Sequence, residues 1–151
     1  VHIHQAEAAY FKHIPLRYRF RYFQETLAST TNLTIHGQFG ENWNGFQSVY
    51  PISELHDEIC LIPLLGHAAG HCGVGIYFEG QWTIHCGDAF YFIEDLNPEL
   101  HLKNLASESL QTLSAFNNDQ RIKTIHELQK MKLKKPEIRI TNSHDPRLSF
   151  F

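Results

Sequence analysis

The sequence predicts an α/β fold, and three observations carry that prediction. Good helix formers gather at the start and in the second half of the chain, short β-type runs gather in the middle and at the end, and no internal repeat interrupts the alternation. A hydrophobic content of 42% against 19% charged residues over 151 positions supplies enough apolar material for a core. A formal net charge of -3 leaves no electrostatic footprint for nucleic acid, and no apolar run approaches the ~20 residues a membrane helix needs. Neither nucleic acid nor membrane is therefore expected as a partner.

The elements follow in order. Val1 to His4 is the end of a strand, and the helix formers of Ala6 to Lys12 follow it directly. Pro15 to Phe23 alternates arginine with aromatic residues from Arg17 onward, a pattern open to a half-buried strand, a substrate-facing lid or, by default, a packed surface segment. Asn32 to Gln38 and Phe46 to Ile52 are short β runs separated by a Gly/Asn-rich turn from Gly37 to Gly45. Glu58 to Leu65 is a mostly apolar strand with Pro63 marking its end, and the loop Gly66 to His71 follows. Gly73 to Phe78, the turn Glu79-Gly80 and Gln81 to Cys86 predict a hairpin that runs straight into Gly87-Asp88-Ala89. Asn97-Pro98-Glu99 has the cap and first-turn proline of a helix start. A second helix, Asn118 to Leu133, carries Ile122, Ile125, Leu128, Gln129 and Leu133 at near-helical spacing and ends in lysines that suit a helix C-terminus before Pro136. Glu137 to Thr141 is a last β run that delivers Asn142-Ser143-His144-Asp145 to a strand end.

Cys60, Cys72 and Cys86 stand at wide spacing with no C-x-x-C pair, so they are expected as reduced, buried small hydrophobes in a cytoplasmic setting. Eleven histidines in so short a chain raise the question of metal or acid–base chemistry, and position has to sort them. His2, His4, His13, His36, His56, His101 and His126 have no motif around them and are read as structural; His85, on the strand leading to Asp88, is open between the sheet interior and the site. His67, Asp88 and His144 share one context, each in a loop just after a predicted strand, where loops of a layered fold converge on one edge. Gly66, Gly70, Gly73 and Gly87 around two of them allow tight turns.

Gly66-His67-Ala68-Ala69-Gly70-His71-Cys72-Gly73-Val74 resembles the PGHTPGHxGx segment of the metallo-β-lactamase superfamily. Asp88 in Cys86-Gly87-Asp88-Ala89 resembles its GDxL/Y motif, and Ser143-His144-Asp145 resembles its last GH/SHD motif. The order, the intervening hairpin and the helical insertion agree, over about Val1 to Arg147. The resemblance implies an αββα sandwich in which His67 ligates a first metal, Asp88 bridges two, His144 ligates the second, and His71 lies behind the ligands without being one. It implies two zinc ions, a metal-activated hydroxide attacking an ester, lactone, thioester or related bond, and a small-molecule substrate, with a homodimer left open. Imidazole and carboxylate suit zinc, and a carboxylate can bridge ions ~3.5–4 Å apart.

Two departures bear on that expectation. Leu64-Leu65 and Ala68-Ala69 take the places of the family's Thr-Pro pairs, which alters loop rigidity and removes no ligand. The H-x-H-x-D-H motif is absent: after His2-Ile3-His4, Ala6 and Glu7 stand where Asp and His are required. Val1 to Glu7 instead resembles the strand–HxxE–helix segment that follows that motif, and the only methionine is Met131. The expectation is that residues 1–151 are the C-terminal portion of such a domain, that the missing ligands lie upstream, and that this stretch alone binds zinc weakly and is inactive. The rival expectations are a non-catalytic binding protein of the same fold whose metal motif has decayed, and a plain α/β ligand-binding domain in which His67 and Asp88 are turn chemistry.

Overall fold

Alternation decides which face each strand of the main sheet buries. The computed structural model describes residues 1–11, 14, 32–37, 40–52, 58–97 and 105–148. In β5 (Ile59–Pro63), Cys60 and Ile62 point away from Leu61; the register sets Cys60 beside Gly75 and Leu61 beside Val74 on β6 (Cys72–Phe78). β7 (Gln81–His85) continues it, with Ile84 opposite Gly75 and His85 opposite Val74. One face thereby collects Cys60, Ile62, Ile84 and Ile140, which share the main core with Ile125, Leu128 and Met131. The other gathers Leu61 with Tyr50 and Ile52 against Ile59, Cys72 and Val74.

The sheet holds six strands in the order β3-β4-β5-β6-β7-β8, where β3 is Glu41–Trp43, β4 Phe46–Pro51 and β8 Arg139–Thr141. Its neighbours are antiparallel up to β7, and β8 joins β7 in parallel. A parallel neighbour needs a crossover, and the helices α2 (Leu105–Ser114) and α3 (Asn118–Lys134) lie in that connection. At the start of the chain, β1 (His2–His4) pairs in parallel with β2 (Thr34–His36), and α1 (Gln5–Phe11) begins at the next residue. Tyr50 joins the two sheets: its ring lies against His4 and His36, and its hydroxyl donates to the Gly37 carbonyl.

Two expectations need correction. The stretch from Gly37 to Gly45 is not one turn: Glu41–Trp43 is a strand, hairpinned to β4 through Asn44 and Gly45, both at positive φ (47° and 94°). Asn-Gly is the favoured pair for such a two-residue turn. In α3, capped by the Asn117 side chain on the Gln120 N–H at 3.1 Å, the buried stripe is Arg121, Thr124, Ile125, Leu128 and Met131, while Ile122 and Leu133 face solvent. The helix is turned toward Arg121 because its guanidinium binds Glu108 at 2.6 Å and Asn118 at 2.8 Å, which lets the charge be buried in company. Asn97 ends a 3₁₀ turn (Ile93–Leu96); the proposed helix start at Pro98-Glu99, the Arg17 to Phe23 segment, and His13, His56 and His101 lie outside the described residues.

Candidate metal centre

Strand direction brings the three site loops together. β5 is antiparallel to β6, β6 to β7, and β7 parallel to β8, so β5, β7 and β8 run the same way and end on one edge of the sheet. His67 follows β5, Asp88 follows β7 and His144 follows β8. On that edge His67 Nε2 lies 3.5 Å from one oxygen of Asp88, and His144 Nε2 lies 3.4 Å from the other. The Asp88 carboxylate stands between the two imidazoles, offering a separate oxygen to each.

These contacts have the length of a ligand edge: two donors each about 2.1 Å from a tetrahedral zinc lie about 3.4 Å apart. Each side of the carboxylate thus offers one imidazole nitrogen and one carboxylate oxygen, a donor set that suits zinc. Among the described residues no group of three or more His, Cys, Asp or Glu side chains closes around a single ion. A zinc site needs three or four protein donors, more than either side of the carboxylate brings together here.

The loops are braced from behind. The His71 ring touches His67 edge-on, its Nδ1 lies 3.0 Å from the Leu64 carbonyl, and its Nε2 accepts the Asp88 backbone N–H at 3.2 Å. That pattern assigns the proton of a neutral ring to Nδ1. Burial holds His71 below the ordinary histidine pKa, against the opposing pull of the Leu64 carbonyl and the Asp88 and Glu7 charges. The His67 loop is held by Phe116 and Asn117, whose N–H groups donate to the carbonyls of His67 and Gly66 at 3.1 and 3.0 Å, and by Glu7 of α1, which accepts the Gly70 N–H at 2.6 Å.

His85 lies on the face opposite the main core, with Nδ1 3.0 Å from the Thr141 hydroxyl. His2 and His4 lie elsewhere: His2 Nδ1 is 2.9 Å from His36 Nε2, and His4 Nδ1 accepts the Ala6 N–H. A cavity of about 450 Å³ opens beside His4, Tyr50 and Leu65, and none of the three convergent residues lines it. Two site neighbours escaped the sequence reasoning. The Tyr91 ring rests on His144 at 4.0 Å between centroids, and Asn142 binds both loops. Tyr91 lies three residues past Asp88, a proximity the sequence did contain; the Asn142 contacts span about fifty residues and had no local signal.

No family model matches the chain. Probable metallo-hydrolases of Mycobacterium tuberculosis and Mycobacterium bovis are each 32% identical to it over 149 residues, which is 98% of this chain and 48% of each relative. Among solved structures it is similar to a quorum-quenching N-acyl homoserine lactone hydrolase, with a TM-score of 0.65, 19% identity, and coverage of 99% of this chain and 50% of that one. An N-acyl homoserine lactone hydrolase with the product N-hexanoyl-L-homoserine at its catalytic metal centre is similar at a TM-score of 0.62 and 20% identity, over 97% of this chain and 47% of that one. The chain spans about half the length of the curated relatives it matches. The likeness shows the fold: the chain has the α/β fold of these lactone hydrolases, of the metallo-β-lactamase type that its three motifs led one to expect, and spans about half of each of them.

Proposed function

We propose that this chain contributes half of the active site of a metal-dependent hydrolase of the metallo-β-lactamase type, with His67 ligating one ion, His144 the other and Asp88 bridging them. One observation carries the reading: a single carboxylate turns its two oxygens to two different imidazoles at 3.5 and 3.4 Å. The curated relatives, named as probable metallo-hydrolases, support the reaction class. The proposed metal is zinc, two ions per complete site, which when bound polarises the scissile bond and lowers the pKa of coordinated water to ~7. His67 and His144 would hold the ions through Nε2, Asp88 would fix their separation, and His71 would hold Asp88 through its backbone without touching metal. The substrate class proposed is a small ester, lactone or thioester. The remaining donors would come from a segment outside these 151 residues, and the setting proposed is the cytoplasm.

Metal analysis of the intact protein tests this. About two ions per molecule are expected, with hydrolysis of a lactone and thioester panel lost to chelator and restored by zinc. His67→Ala and Asp88→Ala should each lose metal and turnover. Full metal content in Asp88→Ala would overturn the bridging role, and a protein that binds no metal would overturn the whole reading in favour of a non-catalytic binding domain.

A further inference from the structure

We infer that Asn142 is a positioning residue that sets where His144 stands relative to Asp88, an inference that rests on the metal-site reading above. The pairing of β7 with β8 ends at His85 and Thr141, so the ladder itself does not fix the loops beyond. Two backbone bonds continue it briefly, Cys86 N–H to the Thr141 carbonyl at 2.8 Å and Ser143 N–H to the Gly87 carbonyl at 3.0 Å. Past them the two loops meet through the buried Asn142 side chain. Its Nδ2 donates to the carbonyls of Phe90 and Tyr91 at 2.9 and 3.1 Å, and its Oδ1 accepts the N–H groups of Asp145 and His144 at 2.9 and 3.3 Å.

Those four bonds use the full capacity of a carboxamide, two donors and two acceptor sites. Carbonyls on one side and N–H groups on the other also decide which end of the group is oxygen. No other side chain of this size supplies both functions: aspartate keeps the acceptors and turns an oxygen toward two carbonyls, and an apolar residue takes the Asn142 partner from four backbone groups, two of them in buried bonds. His144 thus hangs by its own backbone N–H from a group whose other end grips the segment two and three residues past Asp88. One planar amide transmits the position of one loop to the other, as supporting residues do for metal ligands generally.

The test compares Asn142→Ala and Asn142→Asp with the unaltered intact protein by cobalt(II) titration, followed through the visible ligand-field spectrum, and by amide hydrogen exchange. Asn142→Ala is expected to weaken cobalt binding ~10–100-fold. It should also cost the His144 and Asp145 amides about tenfold or more in protection while those of Ile84 and Ile140 in the ladder keep theirs. Asn142→Asp should keep those two amides protected and still bind cobalt more weakly, because the Phe90 and Tyr91 carbonyls lose their donors; it decides the matter if the alanine variant does not fold. A folded variant with unchanged cobalt affinity and spectrum overturns the inference. If the unaltered protein takes up no cobalt, the metal reading falls separately, and unchanged His144 and Asp145 protection in Asn142→Ala would then overturn the positioning role on its own.

Discussion

Replacing Gly70 by alanine measures how tightly α1 bears on the loop that carries His67. A Cβ at this position would stand 2.5 Å from the Glu7 backbone nitrogen and 2.6 Å from its Cβ. Gly70 is not among the residues at positive φ, so alanine accepts the backbone and the cost is one of contact alone. To regain ordinary van der Waals separation α1 must retreat by roughly 0.9 Å. Such overpacking costs about 1–3 kcal/mol. The retreat also stretches the 2.6 Å bond from the Gly70 N–H to the Glu7 carboxylate, for which half-exposure puts the loss near the low end, about 1.5 kcal/mol. Against this, alanine stiffens the unfolded chain and returns about 0.4–1 kcal/mol. The expected net loss is about 1.5–4 kcal/mol in urea unfolding followed by the fluorescence of Trp43 and Trp82. Gly45→Asn is the control: φ is positive there but nothing lies within 4 Å, and asparagine tolerates that conformation, so a loss under about 1 kcal/mol is expected. A Gly70→Ala protein within about 0.5 kcal/mol of the unaltered one, or no worse than the control, would refute the close approach of α1.

Two further outcomes are expected. On the proposed ligand set, His71→Ala should retain the metal stoichiometry at saturating zinc but bind it ~10–100-fold more weakly, whereas His67→Ala should lose bound metal; a lowered stoichiometry in His71→Ala would make it a ligand. Burial pushes the Cys60 thiol up to about 11 and that of Cys72 up to about 12, and raises Cys86 as well. Native protein at pH 8 should therefore react with a disulfide reagent far more slowly than unfolded chain, and since a raised thiol pKa favours the neutral folded form, stability should be intact below pH 9 and fall as pH climbs through 11; rapid native labelling of Cys60 would contradict it.

The sheet and the three site loops were legible because their signals are local. β5 is a short apolar run, β6 and β7 alternate apolar residues on either side of a turn, and each site residue sits in a short glycine-marked or strand-end motif. β3 was not legible by the same criterion: Glu41-Asn42-Trp43 has no apolar alternation, and only the Asn44-Gly45 pair announced the hairpin. The face of α3 was misjudged because hydrophobic spacing assumes that charge stays outside, and Arg121 is buried beside Glu108, Gln111 and Asn118. Asn142 and Asp145 stood in the sequence only as residues at a strand end, since the groups they bind, from Phe90 to Ile93, are about fifty residues away.

The same long-range bonds tie the site loops to one another beyond the end of the sheet. Asp145 accepts the Ile93 N–H at 3.0 Å through one oxygen and the Arg147 Nε at 2.8 Å through the other, and the Arg147 fork closes on Glu94 at 2.7 Å. The Arg147 guanidinium holds the Asp145 carboxyl well below the usual range, so it stays an anion and a full acceptor at neutral pH. With Asn142 this gives the His144 loop two independent ties to the segment following Asp88, while His71 ties Asp88 to the end of β5. Asp88 and His144 are each tied through a side chain, His71 or Asn142, to another of the three loops, and the His67 loop is held by the Phe116 and Asn117 N–H groups. A shift of Asp88 or His144 is therefore resisted by bonds outside the Asp88–imidazole contacts themselves, which is the condition for a carboxylate to keep two imidazoles at matched distances on either side of it.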